Sequence, residues 1–348
     1  MSDIHIRREG RAGRITLNRP GALNALTWEM CLLVERALDD WRADDAVALV
    51  LIDAMGERAF CAGGDIAEMY ATGTAGDFDY GRRFWRDEYR MNAKLAEYPK
   101  PVVSLMQGFT MGGGVGLGCH ASHRVVGESS RMAMPECGIG LVPDVGGSLL
   151  LARAPGELGV YLGLTGARME PGCAIHAGFA DHFVPESDWA ALTDALVESG
   201  DAGEIAARAR PAPDSALVRA AGDIDAAFGG RTVTEIFERL EGRAEEWADA
   251  ARRALERNSP LSMACALEMI RGHAADAGIR DALRAEYRFT HRAMERGDFI
   301  EGIRAAIIDK DRNPRWRHDG PGAVGADEVA EMLAPLGADE LTFEGEKT

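Results

Sequence analysis

Thr110-Met111-Gly112-Gly113-Gly114-Val115-Gly116-Leu117-Gly118 is the stretch whose reading decides the fold. The apolar run Val102-Val103-Ser104-Leu105-Met106 precedes it and reads as a buried strand. The small apolar residues that follow read as a buried helix. Strand, glycine cluster and helix together bring bare backbone close to a ligand, because glycine carries no Cβ. The N–H groups at the helix start then face outward and favour negative charge. On this stretch alone, a tight turn with close helix packing is the alternative. A Walker A loop is excluded, since no Lys followed by Ser or Thr comes after the glycines. A dinucleotide fingerprint is not met from Gly112, whose sixth position is Leu117. The looser form from Gly116 to Ala121 lies inside the helix rather than at its opening. Beside the tight turn, an oxyanion site is therefore a better functional reading than a phosphate cradle.

Working outward, a second segment has the same shape. The apolar run 47–52 reads as a central strand, and Gly56-Glu57-Arg58-Ala59-Phe60-Cys61-Ala62-Gly63-Gly64-Asp65-Ile66 follows as another glycine turn leading into a helix. Upstream, residues 4–7 and 13–17 form a hairpin-like pair of strands, and Thr27 caps a helix running to about Trp41. Residues 77–97 predict a long helix, ended by Lys100-Pro101. Further strands are expected at 122–126, 132–134 and 182–184. Beyond Glu186 the strand signal stops. Helical patterns cover 186–198, 234–257, 260–275 and 279–296, with Ser259 as N-cap before Pro260. The acidic tail from Val324 reads as loosely ordered. Alternating strands and helices followed by helices alone give an α/β core with an all-helical C-terminal part.

The 348 residues suffice for one large domain or two smaller ones, and 46% hydrophobic with 27% charged residues is ordinary for a globular chain. A net charge of -17 argues against nucleic acid or an anionic membrane as partner, while leaving room for an anionic small molecule in a local basic pocket. No apolar run approaches a membrane span, and the N-terminus lacks signal-peptide character. Six scattered cysteines without C-x-x-C read as core fillers in a reducing, cytoplasmic setting. No spacing suited to a metal and no G-x-S-x-G elbow occurs.

Phe60-Cys61-Ala62-Gly63-Gly64-Asp65-Ile66, Met111-Gly112-Gly113-Gly114 and Pro135-Glu136 resemble the crotonase (enoyl-CoA hydratase/isomerase) superfamily. Ala133-Met134-Pro135-Glu136, Gly138-Ile139-Gly140-Leu141, Pro143-Asp144-Val145-Gly146-Gly147, Leu164-Thr165-Gly166-Ala167-Arg168 and Asp298-Phe299-Ile300-Glu301-Gly302-Ile303-Arg304-Ala305 narrow it to the 3-hydroxyisobutyryl-CoA hydrolase branch. The resemblance implies a stack of ββα turns over residues 1–200, carrying the acyl-CoA site, and a helical region over 201–348. It implies hydrolysis of a 3-hydroxyacyl-CoA thioester in valine breakdown, with coenzyme A as part of the substrate and no separate cofactor or metal. It also implies a homo-oligomer, as a trimer or a dimer of trimers.

By position, the resemblance makes the N–H groups of Gly64 and Gly113 the oxyanion donors. It makes Glu136 and Asp144 the catalytic carboxylates, and Glu88, Gly113, Glu136 and Asp144 substrate contacts. The first glutamate of the hydratases falls at Gly116, which has no side chain, whereas Glu136 keeps the second and Asp144 is an added acid. Glu136 then either attacks the carbonyl carbon or acts as general base on water. Plainer readings stand beside these. Glu136 could be a turn acid, Asp144 a helix cap and Glu88 a solvated helix residue. Asp65 is expected to cap the following helix, Cys119-His120 to serve packing, and Lys100 and Lys310 to be surface lysines. The rival functions are a hydratase or isomerase of the same fold and a non-catalytic acyl-CoA-binding protein.

Overall fold

The computed structural model describes residues 2–346. Among them, nine strands form two sheets. They are β1 (Ile4–Glu9), β2 (Ala12–Leu17), β3 (Leu49–Ala54), β4 (Ala59–Cys61), β5 (Val102–Met106), β6 (Phe109–Met111), β7 (His123–Val126), β8 (Arg131–Ala133) and β9 (His182–Phe183). The larger sheet runs β1-β2-β3-β5-β7-β9, antiparallel only between β1 and β2; the smaller, β4-β6-β8, is parallel throughout.

The expected strands are present within a few residues. β4 and β6 are additional. At three residues each they are too short to show alternation, and they hide inside the two glycine segments that read as turns. β6 pairs with β4 on one side and β8 on the other, building the layer from which both glycine turns emerge.

The chain divides into two compact units that are not consecutive in sequence. One comprises residues 1–65, 87–133 and 168–218, and holds both sheets. β3 and β5 are central and buried on both faces, as their continuous apolar runs require. On one face Leu49, Leu51, Val103, Leu105 and Val125 pack with Leu192 and Leu196 of the helix Trp189–Ser199. On the other, Ser104 Oγ donates to the Gly118 carbonyl at 2.8 Å, tying β5 to the helix Gly113–Gly118. That helix approaches β4 backbone to backbone: a Cβ on Gly114 would lie 2.2 Å from the Cys61 carbonyl oxygen. Only glycine permits this approach.

Thr27 caps Trp28–Arg42 through the Met30 N–H, as expected. Lys100 is no surface lysine: its ammonium donates to the carbonyls of Trp41, Asp44 and Val47 at 2.6–2.8 Å, closing the end of that helix onto β3.

The second unit comprises residues 66–86, 134–167 and 219–348, and its regular structure is helical. The single helix expected over 234–257 is two, Val233–Leu240 and Glu246–Arg257, broken where Gly242 takes φ +75°. Ser259 caps Pro260–Gly272 through the Ser262 N–H. The tail is not loose. It forms the helix Ala326–Leu333, then docks on the helix Ile279–Arg296 with Leu341 and Phe343 buried. Phe343 lies under Arg280 and Arg284, and Glu340 pairs with Arg288 at 3.2 Å.

All six cysteines are buried and free of disulfides. Burial pushes the thiols of Cys61 and Cys119 up to about 12, and those of Cys31, Cys137 and Cys265 well up as well. No helix among the described residues is long and apolar enough to cross a membrane.

Candidate active site

Each unit gathers part of the expected set. In the sheet-bearing unit, Gly64, Gly113 and Glu88 come together. The turn after β4 is fixed by backbone bonds from Leu26 N to Gly63 O (2.9 Å) and from Asp65 N to Leu26 O (2.7 Å), with Gly63 at φ +114°. Asp65 does not cap the next helix, whose cap position is Ile66; its carboxylate pairs with Arg19 at 2.9 Å. The second turn places Gly113 as the first residue of its helix, after Gly112 at φ +49°.

The two glycine turns nearly touch. A Cβ on Gly113 would lie 3.4 Å from the Gly64 nitrogen, 3.3 Å from Leu26 Cδ1 and 2.8 Å from Glu88 Oε1. Neither amide donates to another group among the described residues. Glu88 is only 4% exposed, so it is not a solvated helix residue. Two neighbouring free N–H groups with a buried carboxyl beside them are suited to grip a carbonyl oxygen next to a polar substituent.

The helical unit gathers Glu136 and Asp144, both 4% exposed. Glu136 opens the 3-10 turn Glu136–Ile139, and its Oε2 has no hydrogen-bond partner among the described residues. Burial first, then the neighbouring charge of Asp144, and less strongly Glu286, raise its proton affinity well above the carboxylate range. This is not the setting of a surface turn acid. The cap position of the helix Gly147–Ala152 is Gly146, so Asp144 is no N-cap.

The turn bearing Glu136 is braced from below. Ser259 N donates to Cys137 O at 2.9 Å, and Asn258 Nδ2 to Leu164 O at 2.8 Å. A Cβ on Gly302 would lie 2.0 Å from the Ile139 carbonyl oxygen, and one on Gly140 would lie 2.5 Å from the Asp298 backbone. The segment Asp298–Gly302 is therefore the floor under this turn.

Sequence reading passed over Glu286. It is fully buried and accepts from the N–H groups of Gly146 (2.7 Å) and Ser148 (3.0 Å). The signal was present: with Ala282, Leu283, Phe289, Thr290 and Ala293 it shares the buried stripe of its helix, where a lone acid is out of pattern.

Residues 12–333 match the enoyl-CoA hydratase/isomerase family profile. The chain belongs to this family. A curated member, the mitochondrial 3-hydroxyisobutyryl-CoA hydrolase of Gallus gallus, is 35% identical over 98% of this chain and 91% of its own. Two solved members share the fold over essentially the whole length. An enoyl-CoA hydratase from Rhodobacter sphaeroides 2.4.1 has TM-score 0.95 at 60% identity, covering 98% of this chain and 100% of that one. A carnitinyl-CoA dehydratase from Mycobacterium thermoresistibile has TM-score 0.94 at 42% identity, covering 99% and 100%. The fold is thus the crotonase-type α/β fold that the glycine turns implied.

Proposed function

We propose that this family member hydrolyses the thioester of a 3-hydroxyacyl-CoA, with 3-hydroxyisobutyryl-CoA as the preferred substrate. The observation that carries the reading is Glu136: a buried carboxyl with one unpartnered oxygen, a raised proton affinity and a second acid, Asp144, acting on it. In the proposed reaction the thioester oxygen accepts from the N–H groups of Gly64 and Gly113, each donor stabilising the developing oxyanion by roughly 3–4 kcal/mol. Ionised Glu136 either takes a proton from the attacking water or adds to the acyl carbon itself, giving a mixed anhydride that water opens. Asp144 holds the 3-hydroxyl or moves a proton, and Glu88 is a further carboxyl in contact with the substrate. The carbon–sulfur bond breaks, and coenzyme A leaves as a thiolate that needs little acid assistance. The near full-length likeness to a curated hydrolase of this specificity supports the substrate.

A second reading is favoured by the solved relatives, which carry hydratase and dehydratase names. Water addition to an enoyl-CoA is that alternative. Against it stands Gly116, which supplies no carboxylate where the resemblance puts the hydratases' first glutamate.

The test offers the protein 3-hydroxyisobutyryl-CoA while following thiol release, and crotonyl-CoA while following loss of enoyl absorbance. Thiol release that falls by a factor on the order of 1,000 or more in Glu136→Gln supports the hydrolase. Loss of enoyl signal without thiol release assigns the hydratase instead. Tight binding with neither signal assigns an acyl-CoA-binding protein.

A further inference from the structure

Glu286 does something to the turn that carries Asp144, and all the groups involved belong to the helical unit. Its Oε2 accepts from Gly146 N–H at 2.7 Å and its Oε1 from Ser148 N–H at 3.0 Å. These amides lie two and four residues beyond Asp144. One carboxyl therefore holds an amide within, and an amide just beyond, the bend at Val145 (φ +53°) and Gly146 (φ +80°). The same Oε1 meets the hydroxyl of Ser148, and Ser148 Oγ lies 2.8 Å from His273 Nε2. His273, half-buried, lines a cavity of about 630 Å³ together with Arg271, Ala285 and Leu333.

We propose that Glu286 is a positioning residue that holds the Asp144 turn through its two backbone bonds, with Ser148 and His273 as its proton connection to this cavity. The proposal rests on the acyl-CoA hydrolase reading only for its kinetic consequence.

The three groups have two self-consistent arrangements. In one, Glu286 carries a proton on Oε1 and donates to Ser148 Oγ, whose own O–H donates to neutral His273 Nε2. In the other, His273 Nε2–H donates to Ser148 Oγ, and Ser148 O–H donates to the ionised carboxylate. Passing one proton from Oε1 to Ser148, and the serine's proton to Nε2, converts glutamic acid and imidazole into carboxylate and imidazolium. The imidazolium then sheds its Nδ1 proton to water in the cavity. Charge and protons balance at each stage. Burial favours the first arrangement at both ends, raising Glu286 to about 8 and lowering His273. Asp144 raises Glu286, while Asp281 raises and Arg153 lowers His273.

Two variants separate the clamp from the proton connection. Glu286→Gln keeps the shape but presents an amide NH2 to one of the two N–H donors. It is expected to speed hydrogen exchange at Gly146 and Ser148, and to lower kcat about tenfold with KM within about twofold. Ser148→Ala keeps both backbone bonds and cuts the link to His273. Slow exchange is expected to persist there, while the pH profile of kcat changes shape. Wild-type exchange at Gly146 and Ser148 in Glu286→Gln would overturn the clamp. A Ser148→Ala pH profile superimposable on the wild type would overturn the proton connection. Should Glu286→Gln not fold, Glu286→Asp, one methylene short of the turn, serves the same exchange measurement. Absence of thiol release from the wild type would refute the hydrolase reading alone, because exchange reports the clamp without turnover.

Discussion

Glu136 must lose its proton to act on water, and its surroundings oppose that loss. Burial and the charge of Asp144 both favour the protonated carboxyl. Activity should therefore rise as pH increases through the ionisation of Glu136. Asp144→Asn removes the larger of the two charges that raise Glu136, so Glu136 ionises at lower pH in the variant. The expected outcome is a kcat lower by about 100-fold, with the acid limb of the kcat/KM profile displaced to lower pH; a rate profile measured across the acid and neutral range checks it. An acid limb unmoved by the substitution would mean that the two carboxyls do not sense each other. The glycine turns stand out in the sequence as clusters, and the resemblance supplied Glu136, Asp144 and Glu88 as candidates by position. For Glu286 the helix stripe could have signalled burial but not its partners, since Gly146 and Ser148 lie 140 and 138 residues away and no local pattern ties it to them.

At the scale of elements, turns matter more here than the strands and helices that carry them. The 3-10 turn of Glu136 keeps its place because Gly302 lets a helix end come within touching distance of the Ile139 carbonyl. Gly302→Ala puts a methyl 2.0 Å from that oxygen, and neither backbone can yield cheaply. We expect a loss of about 1–3 kcal/mol in thermal unfolding and, in the folded fraction, a fall in thiol release larger than the stability loss accounts for. Long apolar runs such as β3 and β5 were readable because burial on both faces leaves a continuous hydrophobic signature. β4 and β6 escaped because three residues give no period, and their partners lie far along the chain, Ala59 opposite Phe109 and Phe109 opposite Arg131. The break at Gly242 escaped because one glycine inside a helical pattern is usually tolerated.

For the molecule as a whole, the α/β class followed from the order of its segments, but the partition into two interleaved units did not, because it depends on contacts distant in sequence. The tail shows the same limit. Its acidity suggested solvent, yet that charge meets a basic row, Arg280, Arg284 and Arg288, on the helix that also holds Glu286. Phe343→Ala should cost about 3 kcal/mol and speed proteolytic cleavage beyond Ala326, read as a truncated fragment on limited digestion. Finally, the buried thiols have a practical consequence. A chromogenic disulfide reagent attacks only accessible thiolates, so the native protein should stay colourless with it, and the unfolded chain should develop six equivalents. Any colour formed during turnover then counts coenzyme A molecules directly, with no enzyme background to subtract.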